Sequence, residues 1–237
     1  MVRKKFNSDL WGHHLDETPL RADGFPIRVL VATVRGKPYY KIISALKSLG
    51  LPFDSVSPEE AASINSQLVI TTEQEMYLVG NKNMLLDSEL DDEPALIRAK
   101  ILRSVMGAYQ DDQLVIGVDP GSRIGIAVFY LQKEIESQVV ISVRKSVDLI
   151  STLIRGTESR KKIVKIGYGD PAMAREMAYK LYEKFMDTIV IEFVNEHGTS
   201  SVHSMDTNRR GMRDRLSART IALRKGRVFR PLIHVRN

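Results

Sequence analysis

The chain has 237 residues, 43% hydrophobic and 27% charged, a balance that supports one large or two small domains with buried cores. With no cysteine it excludes disulfides, zinc–thiolate sites and cysteine nucleophiles, so any metal must be held by oxygen or by the five histidines. No apolar run reaches the ~18–20 residues of a membrane span, and no signal-type apolar segment follows the basic start Met1–Lys5. We therefore expect a cytoplasmic protein without a membrane partner, whose net charge of +6 is compatible with an anionic one.

In chain order, residues 1–26 read as an irregular arm with a short helix. Ile27–Val34 is a β-branched run bounded by Pro26 and Gly36, as expected of a buried strand. Pro38–Leu49 carries Tyr39, Ile42, Ile43, Leu46 and Leu49 at helical spacing and is closed by Gly50. Pro52–Ser55 reads as a short strand, Pro58–Ile64 as a short helix capped by Ser57, and Gln67–Thr71 as another buried strand. This order predicts a small parallel sheet covered by helices. It contains neither familiar type of glycine-rich phosphate loop. An acidic stretch, Asp87–Glu93, leads into a helix over Pro94–Met106 with Leu96, Ile97, Ile101, Leu102 and Val105 on one side. A change of composition near 108–112 predicts two domains, residues 1–110 and 111–237.

The second half reads as strands over Leu114–Val118, Gly125–Leu131 and Gln138–Val143, then a helix over Asp148–Ile154. A strand (Ile163–Gly167), a helix (Pro171–Phe185) and a strand (Thr188–Val194) follow. A last helix, Asp206–Arg224, puts Met212, Leu216 and Leu223 on its apolar side. The expected fold class is α/β: a small N-terminal parallel domain and a C-terminal domain with a mixed five-stranded sheet.

The most informative segment is Val115–Val128, in which an apolar strand ends in Asp119, a turn containing Gly121 comes next, and a second apolar strand begins near Gly125. A carboxylate at the end of a buried strand costs several kcal/mol unless it is paired or bound to a cation. Its placement therefore points to a cation, and the alternative is a carboxylate that only caps the turn. Asp170 stands before Pro171, where an aspartate makes a good helix N-cap. Between Arg209 and Arg230 the basic residues are Arg209, Arg210, Arg213, Arg215, Arg219, Arg224, Lys225, Arg227 and Arg230, opposed only by Asp214. Such a stretch is either a solvated helix face or a phosphate-binding surface.

The segment around Asp119, Gly121 and Gly125, with the element order after it, resembles the RuvC/YqgF branch of the ribonuclease-H-like superfamily. The similarity covers roughly Leu114–Arg224. In that family the first strand ends in a catalytic aspartate, which Asp119 matches. The stretch Asn195-Glu196-His197-Gly198-Thr199-Ser200 is similar to the family's Asp-Glu-Arg-x-Thr-Ser segment, although Asn195 and His197 depart from it. Asp214-Arg215-Leu216-Ser217-Ala218 is similar to the start of its last helix. The resemblance implies a cluster of Asp119, Glu196 and Asp214 holding Mg2+ or Mn2+. Asp170 would be a fourth catalytic acid, as in the junction resolvases of the branch.

The resemblance also implies a metal-dependent endonuclease for structured nucleic acid, DNA or RNA, with Arg123, Arg209, Arg210, Arg213 and Arg215 on the phosphates. Holliday-junction DNA as substrate would imply a homodimer, whereas ribosomal RNA processing would not. The same fold core in sugar kinases requires a second lobe and a second phosphate hairpin, neither of which the first half carries. A nucleic-acid-binding module that has lost catalysis is the other alternative.

Overall fold

The computed structural model describes residues 21–22, 25–26, 29–80, 83–90, 93–106, 112–195 and 207–231, with only the backbone for 21–26, Ser48 and 207–210. The expected N-terminal arm therefore lies almost wholly outside the described residues. Its end forms a small antiparallel pair, β1 (Arg21–Ala22) with β2 (Phe25–Pro26). The protein is α/β with two larger sheets, one of four strands and one of six. Among the described residues no helix is long and apolar enough to cross a membrane.

The first sheet is parallel throughout, in the order β4-β3-β5-β6, from β3 (Val29–Ala32), β4 (Phe53–Val56), β5 (Leu68–Thr71) and β6 (Met84–Leu86). Strands β3 and β5 are buried at every position, as a parallel strand covered on both faces must be. Helix α1 (Gly36–Ser48) buries Ile42 and Leu46 and is terminated at Gly50, whose φ of 64° suits glycine. Helix α2 (Pro58–Ser63) starts in a capping box: Glu60 N donates to Ser57 Oγ at 3.2 Å, and Ser57 N donates to Glu60 Oε2 at 3.1 Å. The four-residue helix α3 (Met76–Val79) and the three-residue β6 escape sequence periodicity because neither is long enough to repeat its period twice. Asp87–Leu90 winds into a 3-10 turn, where Glu89 accepts from Leu86 N at 2.8 Å.

At the carboxyl ends of β3 and β5, the buried Glu75 ties the two following loops together. It accepts from Thr33 Oγ1, from Thr72 Oγ1 at 2.7 Å and from Val34 N at 3.0 Å. Burial works to raise its pKa, but these donors, with the Arg35 charge, hold it below the ordinary 4.5. A depressed carboxylate stabilises the fold above its unfolded pKa and loses that contribution as pH falls through the folded one. Glu75→Gln is thus expected to cost roughly 2 kcal/mol at pH 7, and less as the pH drops below 4.5. Urea unfolding of both proteins at pH 7 and at acid pH checks this; a pH-independent difference would refute it.

The second sheet has the order β12-β11-β10-β7-β8-β9. Its strands are β7 (Gln113–Asp119), β8 (Ile124–Tyr130), β9 (Lys133–Val140), β10 (Lys161–Gly167), β11 (Val190–Val194) and β12 (Arg227–Val228). Strands β7, β8 and β9 are antiparallel neighbours, while β10 and β11 run parallel to β7. The expected five strands become six because Arg227–Val228 pairs antiparallel with β11. The expected third strand, Gln138–Val143, is displaced. The strand runs over the polar Lys133–Val140, and Ser142 instead caps α5 (Val143–Gly156), accepting from Lys145 N at 3.3 Å. An edge strand needs few apolar residues, and Ile135 is its one fully buried side chain.

Helices α5 and α6 (Pro171–Phe185) cover one face of this sheet over Ile116, Val118, Ile126, Val128, Val164 and Ile166. Helix α7 (Thr207–Leu223) covers the opposite face, against β7 and β8 above all. The apolar side assigned to α7 from the sequence is wrong. Met212, Leu216 and Leu223 are 55%, 49% and 72% exposed, and the buried side is Gly211, Ala218, Ile221 and Ala222. Small residues face the sheet because the sheet presents glycine there and the helix backbone must come close.

Helix α4 (Pro94–Met106) carries two buried stripes rather than one. Ala95, Leu96, Ala99 and Leu102 join the core of the six-stranded sheet, while Ile97 and Ile101 join that of the four-stranded sheet, with Val105 packed beside them. Arg98 links the same halves, donating to Ile135 O at 2.8 Å and to Leu49 O at 3.4 Å. Arg103 donates to Asp112 Oδ2 at 2.9 Å and to Tyr130 Oη at 2.7 Å, which raises its already high pKa. The expected boundary falls mostly on residues 107–111, outside the described residues, and the helix before it belongs to both cores.

Candidate metal centre and nucleic-acid face

The central strand β7 ends at Asp119, which pairs with Gly125 on β8. Alternation along a strand places residues 117 and 119 on one face. That face is the one under α7, because Gly117 lies against Ala218 and Ala222. A Cβ on Gly125 would fall 2.1 Å from the carbonyl oxygen of Asp214, and one on Gly117 would fall 2.2 Å from that of Ala218. Two glycines, Gly117 and Gly125, thus let the helix backbone rest on the hairpin. The outcome is that Asp214 of α7 sits over the strand position paired with Asp119. Gly121, expected from the sequence to serve the turn, has no positive φ, and a Cβ there would meet nothing nearer than Arg123 O at 3.4 Å.

The Asp214 side chain is 22% exposed, with Arg123 Nε at 3.5 Å from Oδ2. That separation is an ion pair rather than a hydrogen bond, and among the described residues the buried Oδ2 has no hydrogen-bond partner. An arginine of the β7–β8 turn thus stands beside Asp214. Arg123 also packs on Gly211, where a Cβ would fall 2.9 Å from Nη2. Arg213 and Arg215 lie exposed on α7, while the side chains of Arg209 and Arg210 lie outside the described residues. Arg219 is taken by Glu134 on β9, at 2.6 Å.

Asp170 caps α6 as its sequence context predicts. Its Oδ1 accepts from Ala172 N at 3.1 Å and from Met173 N at 3.0 Å. The β10 strand before it lies beside β7, so Asp170 stands at the same end of the sheet as Asp119. Serine is an equally good cap, whereas alanine removes it. Asp170→Ala should cost about 1 kcal/mol in thermal unfolding, while Asp170→Ser should keep both stability and any cleavage activity. Loss of cleavage in the serine variant would make Asp170 a ligand.

Glu196, with His197, His203 and Thr199–Ser201, lies outside the described residues, which reach Asn195 at the carboxyl end of β11. Among the described residues no three carboxylates or histidines stand together as a metal-binding group. What the described part supplies is Asp119 and Asp214 on one face, the latter with an oxygen that no donor satisfies. A hard divalent ion takes one or two carboxylates and fills its remaining positions with water or phosphate oxygen. The donor chemistry fits Mg2+ or Mn2+ on those terms.

The place in the sheet is also the favoured one. After β7 the chain builds β8 and β9 on one side, then returns through α5 to add β10 on the other. The order reverses between β7 and β10, and in open α/β sheets ligands bind outside the strand carboxyl ends at such a reversal. The sequence reasoning missed Gly117, whose signal is a glycine inside an otherwise apolar strand.

No protein-family model matches the chain, and no curated protein is significantly similar to it.

Proposed function

We propose that this protein is a metal-dependent endonuclease of the ribonuclease-H-like type, hydrolysing phosphodiester bonds in structured nucleic acid. The observation that carries the reading is the approach of α7 to the β7–β8 hairpin, which brings the Asp214 backbone onto Gly125 beside Asp119. The element order that underlies the sequence resemblance, three antiparallel strands followed by helix, strand, helix, strand and helix, supports it. So does the reversal of strand order at Asp119.

On this reading Asp119 and Asp214 hold Mg2+ or Mn2+, with Glu196 as the third carboxylate, and the ion supplies an activated water and charge neutralisation at the leaving oxygen. Arg123 offsets the Asp214 charge and orients its carboxylate from the turn. Arg213 and Arg215, exposed on α7 next to the acids, approach the phosphate backbone. Such contacts make binding steeply salt-dependent.

The test is cleavage of labelled four-way-junction DNA, duplex DNA and structured RNA with Mg2+, with Mn2+ and with chelator. Metal-dependent cleavage is expected, and the preferred substrate decides between junction resolution and RNA processing. Tight, salt-sensitive binding without cleavage under any metal would replace the nuclease with a binding module on the same fold.

A further inference from the structure

At the far side of the same sheet end lies a hollow that the cation site does not use. Tyr168 follows β10, Phe193 belongs to β11, and Arg227, Phe229 and Arg230 come from β12 and the residues after it. Together with Asn195 and Val228 they line a cavity of about 830 Å3. That volume falls in the range of small-molecule sites, roughly 300–1,000 Å3.

Its walls are aromatic. Tyr168 and Phe193 lie 4.9 Å apart between ring centroids, and Phe193 and Phe229 lie 5.4 Å apart. Each of the three rings is only partly buried. The charge around them is positive: Arg227 and Arg230 are exposed, and Arg175 lies over Tyr168 while donating to its hydroxyl at 2.6 Å. None of the described lining residues is acidic.

We infer that this cavity receives an unpaired nucleobase of a bound strand, with the base against the aromatic rings and the flanking phosphates on Arg227 and Arg230. The identity of the partner rests on the nuclease reading above; the cavity adds the class of substrate. Paired residues share a face, so Phe193 stands with Ile166 and Val118 on the α6 side of the sheet, opposite the α7 side of Asp119, and the two places meet at the carboxyl ends of the strands. Strands stand about 4.8 Å apart, so Phe193 lies roughly 10 Å across the sheet from the strand that ends in Asp119. A strand that rounds the carboxyl ends of β7, β10 and β11 from the α7 side to the α6 side passes the acids and then the cavity. The substrate is accordingly one with an unstacked base near the scissile bond, as at a junction, bulge or loop, because a paired base must first be flipped out at a cost of a few kcal/mol.

The test is equilibrium binding, in chelator, of a fluorescein-labelled 12-residue single strand, its abasic counterpart, the same strand in duplex, and free AMP as competitor. Wild type should prefer the strand with bases over the abasic one by about tenfold or more, and over the duplex. Phe229→Leu should abolish that preference. The surface double variant Arg227→Ala/Arg230→Ala, which leaves the core intact, should weaken binding of both strands and flatten its salt dependence. Equal binding of the based and abasic strands by wild type, unchanged binding by the arginine variant, or AMP binding as tight as that of the strand would each overturn the proposal. Cleavage is read in a separate assay, so the cavity can fail while the nuclease stands, and the reverse.

Discussion

Gly125→Val is expected to lower the melting temperature by about 10 °C and to abolish cleavage with it. The added Cβ would fall 2.1 Å from the Asp214 carbonyl oxygen, 2.6 Å from its carbonyl carbon and 3.4 Å from Ala218 Cβ. Two of these are helix backbone, which cannot rotate aside as a long side chain can. Either α7 lifts from the sheet, uncovering Ala218, Ile221 and Ala222, or the hairpin bends. Overpacking of this kind costs about 3 kcal/mol, and each kcal/mol moves the melting point of a chain this size by roughly 2–4 °C. The lift also carries Asp214 away from Asp119. Gly121→Ala, with nothing closer than 3.4 Å, is the matched control and should leave both quantities unchanged. A Gly125→Val protein as stable as wild type would mean that α7 does not rest on the hairpin.

The second large effect is on chemistry alone. Asp119→Asn should slow single-turnover cleavage by about a thousandfold or more while leaving the melting temperature within a few degrees. The amide keeps the shape of the half-buried side chain but removes the charge that attracts a cation. Asp214→Asn should behave alike. The double variant should be little worse than either single one, because groups that act as one unit are strongly non-additive. A rate within tenfold of wild type for Asp119→Asn would remove this residue from the site.

Much of the architecture can be read from the residues alone. Buried parallel strands such as Leu68–Thr71 announce themselves as continuous apolar runs, and Ser57 and Asp170 mark helix starts through their caps. The readings that failed did so for a common reason, that a neighbour rather than the local pattern decides which side is buried. Helix α7 hides Ala218 and Ala222 and exposes Leu216 and Leu223, because Gly117 and Gly125 leave room only for small residues. Helix α4 presents two stripes because it has a sheet core on each side. The edge strand β9 is polar over its first half, so the more apolar Gln138–Val143 reads as the strand instead. At the site, Asp119 was legible as a charge at the end of an apolar strand. The pairing of Asp214 with Arg123, ninety-one positions earlier in the chain (214 − 123), has no local signal at all.

The measurement closest to the central claim is Mn2+ binding to the full chain, followed by electron paramagnetic resonance. If Asp119 and Asp214 share one cation site, wild type takes up Mn2+ in competition with Mg2+. Asp119→Asn and Asp214→Asn should each weaken that uptake by about tenfold or more, while Asp170→Ser should bind as wild type does. Absence of Mn2+ binding by wild type, or binding by the two asparagine variants equal to that of wild type, would contradict a shared cation site.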